Sequence, residues 1–90
     1  MPGDIREVLC RKWALEILWF LSTEGTQNYS QIESEFETSS DVITDRLQHL
    51  TNAGLVHRDQ KSTKDVRYTI TTSGEKLLEL MNEADQLLDE

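Results

Sequence analysis

The sequence has few of the residues that build disulfides, metal sites or membrane spans. Its 90 residues include one cysteine, one proline and two histidines. One cysteine cannot form an intrachain disulfide, and with two distant histidines it cannot supply a four-ligand zinc site. The longest apolar run, Ile17 to Leu21, is far shorter than the roughly 18 residues that a membrane-spanning helix needs. We therefore expect no cofactor, no small-molecule ligand and no membrane partner.

The length and the N-terminus narrow the class of protein further. A chain of 90 residues is one small domain with a single core. The N-terminus has no basic segment followed by an apolar stretch, so we predict no secretory signal and a cytoplasmic protein. His49 and His57 fall on different predicted elements, and neither is paired with a nucleophile in the sequence. The chain is therefore not expected to be an enzyme.

Acidic residues outnumber basic ones by 17 to 9, which gives a net charge of −8. This surplus, with few lysines, is typical of proteins from salt-rich cytoplasms, and we predict a haloarchaeal source. At about 1 M salt the Debye length is about 3 Å, so distant carboxylates there hardly repel DNA. One segment, residues 56–71, is net positive, and its basic residues are Arg58, Lys61, Lys64 and Arg67.

The first periodic segment runs from about Asp4 to Ser22 and predicts one long helix. Its second half, from Trp13 to Leu21, carries a single charge and is apolar on every side. A helix of this kind must be covered on every side. Because a chain of this length has few other elements to cover it, we expect part of the helix, including Trp13 and Ile17, to face a second subunit.

Two shorter segments fit a helix-turn-helix. The first runs from Tyr29 to Phe36, and the second runs from about Ser40 to Ala53 with one apolar stripe. The residues from Thr38 to Asp41 have the spacing of a capping box, with Thr38 or Ser39 as the cap. Gly54 stands where a C′ glycine would end the second helix.

The last third of the chain predicts a hairpin and one more helix. Residues 55–60 and 66–71 are β-compatible strands around a polar loop, and the helix runs from about Ser73 to Leu88. The apolar residues of that helix are spaced as in a coiled-coil seam: Leu77, Leu80, Met81, Ala84, Leu87 and Leu88. The order of elements predicts a mainly α fold with a small β-hairpin, a winged helix-turn-helix with a C-terminal dimerisation helix, in one domain over residues 1–90.

Four segments of the sequence carry a family resemblance. They are KWALEIL at residues 12–18, YSQI at 29–32, DRLQHLTNAGLV at 45–56 and YTITTSG at 68–74. In this order they resemble the motifs of HxlR-type winged-helix transcriptional regulators, over about residues 8–80. MarR-, ArsR- and PadR-like regulators share the third motif, and the Lys-Trp opening favours the HxlR type. The resemblance implies a homodimer that binds a pseudo-palindromic operator in double-stranded DNA and regulates transcription.

The cysteine departs from that family's pattern. Family members often carry a cysteine about 13 residues before the Trp of the opening motif, and that position precedes the start of this chain. Cys10 lies where the family often has glycine. We therefore expect Cys10 to be a buried, inert residue rather than a redox sensor.

A winged helix presents the N-terminal, outward side chains of its recognition helix to the major groove. For a recognition helix over about 40–53, we predict base or phosphate contacts from Ser39, Ser40, Thr44 and Gln48. Arg46 lies beside the apolar stripe and either reaches a phosphate or pairs with a nearby acid. The predicted wing over about 56–71 supplies contacts to the backbone or the minor groove from Lys61, Ser62, Lys64 and Arg67.

A second function from another class stays open at the level of the sequence. A winged helix can also contact a protein partner, here through the acidic first half or the apolar face of the first helix. The wing charges distinguish the two functions, since neutralising Lys61 and Lys64 should weaken only DNA binding.

Overall fold

The computed structural model describes residues 5–88 and folds them into five helices and one small sheet. The elements are, in order, α1 (Ile5–Cys10), α2 (Ala14–Glu24), β1 (Gln27–Asn28), α3 (Tyr29–Glu35), α4 (Ser40–Asn52), β2 (Val56–Gln60), β3 (Val66–Ile70) and α5 (Thr72–Leu88). The predicted mainly helical fold with a wing is confirmed.

The predicted single first helix is wrong, because the chain bends between α1 and α2. At the bend Trp13 has a φ of 78°, a left-handed conformation that few residues other than glycine adopt. Two tertiary contacts hold it there: the Trp13 ring packs edge-on against Phe36, with centroids 5.6 Å apart, and the Lys12 carbonyl accepts a 2.7 Å hydrogen bond from Arg46 Nε. The predicted start of the helix, Asp4, lies outside the described residues.

The chain itself covers most of α2. Its inward face is buried under the rest of the domain, and Ile17 has no exposed surface. Ile17 is therefore a core residue, which corrects the prediction that it faces a second subunit. The fully buried side chains of the core come from α2, α3 and α4: Ile17, Leu18, Leu21, Ile32, Ile43, Leu47 and Leu50.

Side-chain caps set the ends of the helix-turn-helix. Of the two predicted caps of α4, Ser39 is confirmed, because its hydroxyl accepts from the Val42 amide. The predicted capping box at Thr38–Asp41 is therefore wrong, because it needs Thr38 as the cap. A reciprocal capping box occurs instead at the start of α3, between Asn28 and Gln31. Its signal was present in the sequence, because an Asn followed three residues later by Gln has the same hydrogen-bonding capacity as the Ser/Thr pattern.

The prediction that Gly54 ends the recognition helix is confirmed. Gly54 has a φ of 78°, which glycine adopts without steric cost. Its amide donates to the Thr51 carbonyl at 3.0 Å, and the Leu55 amide donates to the Leu50 carbonyl at 3.0 Å. This pair of bonds is a Schellman motif, and it directs the chain from α4 into β2.

The wing is part of a three-stranded antiparallel sheet with the order β1-β3-β2. The two-residue strand β1 was not predicted, because a polar Gln27-Asn28 pair carries no periodic signal. In the hairpin, Arg58 lies opposite Tyr68 and Asp59 lies opposite Arg67. Side chains that lie opposite each other share a face, so Arg58 is on the face of the buried Tyr68, and Asp59 is on the other face.

The residue before helix α5, Thr71, caps the helix and makes two side-chain hydrogen bonds. The Thr71 hydroxyl accepts from the Gly74 amide at 3.1 Å and donates to the Gly54 carbonyl at 2.7 Å, which joins the start of α5 to the end of α4. Leu78 is buried, whereas Leu80, Leu87 and Leu88 are 48%, 77% and 84% exposed. The second half of α5 therefore presents an apolar stripe to solvent. None of the helices described is long and apolar enough to cross a membrane.

We predict that Gly74→Ala destabilises the fold. A Cβ at this position would meet the Leu55 carbonyl oxygen and lie 2.6 Å from Ile70 Cγ1. Overpacking costs about 1–3 kcal/mol, and we expect the upper end because a backbone oxygen cannot move aside as a side chain can. The free energy of unfolding, measured by urea denaturation, should fall by about 3 kcal/mol.

Two variants control this prediction. Gly54→Ala places a Cβ in open space, so only its left-handed φ should cost energy, about 1–2 kcal/mol. Ser73→Ala changes an exposed position next to Gly74 and should alter stability by less than about 0.5 kcal/mol. A Gly74→Ala protein as stable as the Ser73→Ala protein would contradict the packing described here.

Candidate nucleic-acid interface

Helix α4 separates its apolar and polar residues onto two faces. Ile43, Leu47 and Leu50 are buried against the core. The opposite face is exposed, and it consists of the N-cap Ser39 with Ser40, Asp41, Thr44, Gln48 and Asn52. All the predicted recognition-helix residues except Arg46 therefore lie together on one solvent-facing surface.

Helix α3 positions the first turns of this polar face through Tyr29. The Tyr29 hydroxyl donates to the Ser40 carbonyl at 3.1 Å and lies 3.0 Å from the Thr44 hydroxyl. A phenol has one proton, so with that proton on Ser40 it accepts from Thr44. With its proton bound to Tyr29, the Thr44 hydroxyl can only accept a further hydrogen bond, which suits the amino group of adenine or cytosine. Sequence reasoning missed this role of Tyr29.

Arg46 binds protein rather than projecting outward. Its Nε donates to the Lys12 carbonyl, and its Nη1 forms an ion pair with Asp45. Asp45 also lies 3.6 Å from Arg11 and 3.8 Å from the ring of His49. Of the two predicted roles of Arg46, the structure supports the pairing with an acid. This cluster ties α4 to the bend between α1 and α2.

Two of the basic residues of the wing are paired within it. Lys61 Nζ lies 2.8 Å from Asp59, and this contact is the main cause that holds the pKa of Asp59 below its ordinary value. Arg67 Nε lies 3.3 Å from Asp65. Lys64 is exposed and has no ion-pair partner within residues 5–88. The Ser62 amide bonds to the Asp65 carbonyl and closes the loop at the tip.

A cleft of about 330 Å³ separates α4 from the strands of the wing. Its walls bring together polar side chains of the recognition helix and one cation of β2: Thr44, Leu47, Gln48, Thr51, Asn52, Arg58 and Tyr68. Arg58 was not among the predicted DNA contacts. The sequence held a signal for it, because side chains two apart in a strand share a face, and Arg58 lies two residues after the buried Val56.

The predicted dimer residues divide into three groups. Ile17 is buried, as described above, and Trp13, Leu77 and Met81 are half-buried in the chain. The exposed members are all in the second half of α5: Leu80, Ala84, Leu87 and Leu88.

The predicted burial of Cys10 is wrong, because the cysteine is exposed at the end of α1. The bend that follows it turns the chain before the next helix begins, and sequence periodicity gave no sign of that bend. In the part of the chain that is described, no group of His, Cys, Asp and Glu could hold a metal ion.

Comparisons with known proteins agree with this geometry. The profile of the HxlR-like helix-turn-helix family matches residues 8–90. The MalR protein of Fusobacterium mortiferum is 30% identical over 74 residues, which are 79% of this chain and 70% of MalR.

Two solved structures are similar over nearly the whole chain. The reduced form of the transcriptional regulator YodB from B. subtilis has a TM-score of 0.79 and 25% identity, and the match covers 94% of this chain and 85% of YodB. A possible HxlR family transcriptional factor from Thermoplasma volcanium has a TM-score of 0.72 and 26% identity over 96% of this chain and 82% of its own. The family match is to regulators and not to enzymes. The chain therefore belongs to the HxlR-like helix-turn-helix family of DNA-binding transcriptional regulators.

Proposed function

We propose that the chain acts in the cytoplasm as a homodimeric regulator that binds specific operators, with α4 in the major groove and the wing on the adjacent backbone or minor groove. The observation that carries the proposal is the exposed polar face of α4, which lies beside the wing, a net-positive segment of an acidic chain. A helix about 10–12 Å wide with its side chains fits the major groove, which is about 12 Å wide.

Base discrimination in this proposal comes from Ser40, Thr44 and Gln48. All three are exposed and one turn apart on α4. A glutamine can bond adenine N6 and N7 bidentately, and Thr44 offers an acceptor oriented by Tyr29. Ser39 caps the helix, and its exposed position at the N-terminus suits contact with a phosphate.

Phosphate attraction comes from the wing in this proposal. Lys64 and Ser62 lie in the loop between β2 and β3, where Lys64 has its charge free. Lys61 and Arg67 share theirs with Asp59 and Asp65. Exposed ion pairs of this kind contribute little free energy, so a phosphate can replace the carboxylate as the partner of the cation. Arg46 is left out of the proposed contacts because it binds Lys12 and Asp45.

The apolar stripe of α5 supports the homodimer. Leu80, Leu87 and Leu88 leave large apolar surfaces in water in a single chain. Pairing this stripe with that of a second chain would bury both and would place two recognition helices on two half-sites.

A protein-interaction module is the second candidate function. A shallow cleft of about 430 Å³ on the outer side of α2 supports it. Trp19, which is 46% exposed, lies in this cleft with Phe20 and Phe36, and its remaining walls include three glutamates: Glu16, Glu24 and Glu35. An exposed aromatic patch with an acidic rim is the kind of surface that a basic protein partner would cover.

We predict that the chain is a dimer and that Leu80→Asp with Leu87→Asp splits it. Charges buried on an apolar seam cost several kcal/mol, whereas both positions are exposed in the single chain and should not disturb its fold. Light scattering at micromolar protein in molar KCl should report about twice 10.4 kDa for the natural sequence and 10.4 kDa for the double variant.

Asn82→Asp with Gln86→Asp is the matched control for the dimer. It adds the same charge to the same helix, on the side away from the leucines, and should leave the dimer intact. A monomeric natural sequence, or dissociation by the control pair alone, would rule out the α5 seam.

We predict that Gln48→Ala weakens binding to the preferred operator by about 1–3 kcal/mol and relaxes the choice of base at one position. Affinity for a scrambled duplex should hardly change, because phosphate contacts carry no sequence information. Fluorescence anisotropy with both duplexes measures the two effects, and Gln86→Ala on α5 is the control. Equal losses on both duplexes would mean that Gln48 does not read a base.

A further inference from the structure

The cleft between α4 and the wing differs in charge from the rest of the molecule. The chain has 17 acidic residues in 90, yet none of the seven residues that line this cleft is acidic. Arg58 supplies its positive charge. The residue is exposed, and its guanidinium has no hydrogen-bond or ion-pair partner within the described part of the chain. Its neighbour Asp59 lies on the opposite face of the strand and is bound to Lys61.

The geometry of the duplex places a phosphate at this cleft. Adjacent major and minor grooves are separated by one sugar–phosphate backbone. If α4 enters the major groove and the wing reaches across that backbone, the backbone must pass between the two elements. The cleft described above is the space between them, and Gln48 and Asn52 form its α4 wall opposite Arg58 of β2.

The donors in the cleft suit a phosphate oxygen. Arg58 offers a planar guanidinium with several N–H donors, which matches a phosphate bidentately. The Asn52 amide adds a neutral donor from α4. The Thr51 hydroxyl is not available as a donor, because it donates to the Leu47 carbonyl at 2.7 Å. Tyr68 lies buried opposite Arg58 and forms part of the wall beneath it.

We propose that this cleft holds one phosphate of the DNA backbone and that Arg58 is its cationic ligand. The inference rests on the proposed function and adds a binding residue that the family comparisons do not assign. In this proposal the wing has two kinds of basic residue. Lys61 and Arg67 must give up an ion pair with a carboxylate to bind a phosphate, whereas Arg58 binds a phosphate without giving up a partner.

The first arm of the test measures the salt dependence of binding. Anisotropy titrations of a mixed-sequence duplex over a KCl series give the slope of log K against log [KCl]. Arg58→Gln should flatten the slope by about 0.9 for each bound chain, which is about 1.8 for a dimer. Over a fourfold rise in KCl the variant dimer should therefore lose about 12-fold less affinity than the natural protein. Arg58→Lys should keep the slope. Lys76→Gln, which removes an exposed charge from α5, should also keep it.

The second arm uses the natural protein, so it holds even if Arg58→Gln fails to fold. Methylphosphonate groups neutralise the phosphates of the selected operator one at a time. In each half-site, one phosphate lies between the major groove that α4 reads and the next minor groove. Neutralising that phosphate should flatten the salt slope as Arg58→Gln does. The two changes together should flatten it no further than either alone.

The outcomes separate this inference from the function on which it rests. An unchanged slope for Arg58→Gln in a protein that binds DNA would overturn the phosphate site and leave the proposed function standing. Equal flattening by Lys76→Gln would overturn it as well, because the effect would then come from net charge. No binding to any duplex by the natural protein would overturn both.

Discussion

The burial of one stripe of α4 fixes the positions of the other functional parts. Ile43, Leu47 and Leu50 are fully buried in the same core as Leu18 of α2 and Ile32 of α3. Each such side chain contributes about 1.5–3 kcal/mol when it leaves water. Because the stripe can face the core in only one rotation of the helix, the polar residues of α4 must face solvent. The recognition surface is therefore a consequence of core packing rather than of contacts on the surface itself.

Contacts at the two ends of α4 fix the positions of the neighbouring elements. At its start, Tyr29 joins α3 to the first turns of the helix. At its end, Gly54 turns the chain into the wing, and Thr71 bonds to Gly54 while capping α5. The recognition helix α4, the wing and α5 are thus joined at one point, around Gly54 and Thr71. Hydrogen bonds from Thr71 to the Gly54 and Leu55 carbonyls join the start of α5 to the end of α4.

The acidity of the chain restricts where DNA can bind, because the proposed ligand is itself an anion. A net charge of −8 opposes DNA unless positive charge is concentrated where the backbone passes. The wing and the cleft without carboxylates meet that condition. At molar salt the long-range repulsion is screened within about 3 Å, and contact pairs such as that proposed for Arg58 then decide the affinity.

Much of this fold could be predicted from the sequence, because its signals are local. Periodicity located α4, β3 and α5 to within a few residues, β-compatible residues located β2, and Gly54 marked the end of the recognition helix. The bend at Trp13 could not be predicted, because contacts with Phe36 and Arg46, distant in the sequence, hold it. The partners of Arg46 and the cleft at Arg58 depend in the same way on how elements meet in space.

Selection of bound sequences from random duplex DNA, at low and at molar KCl, would show whether the chain reads an operator as a dimer. We expect enrichment of two inverted half-sites with centres about one helical turn apart, 10–10.5 base pairs or a multiple of it. The same half-site should be enriched at both salt concentrations, because base contacts specify sequence and phosphate contacts set affinity. If no sequence is enriched at either salt concentration, the chain is not a sequence-specific DNA-binding protein, and a protein partner is favoured.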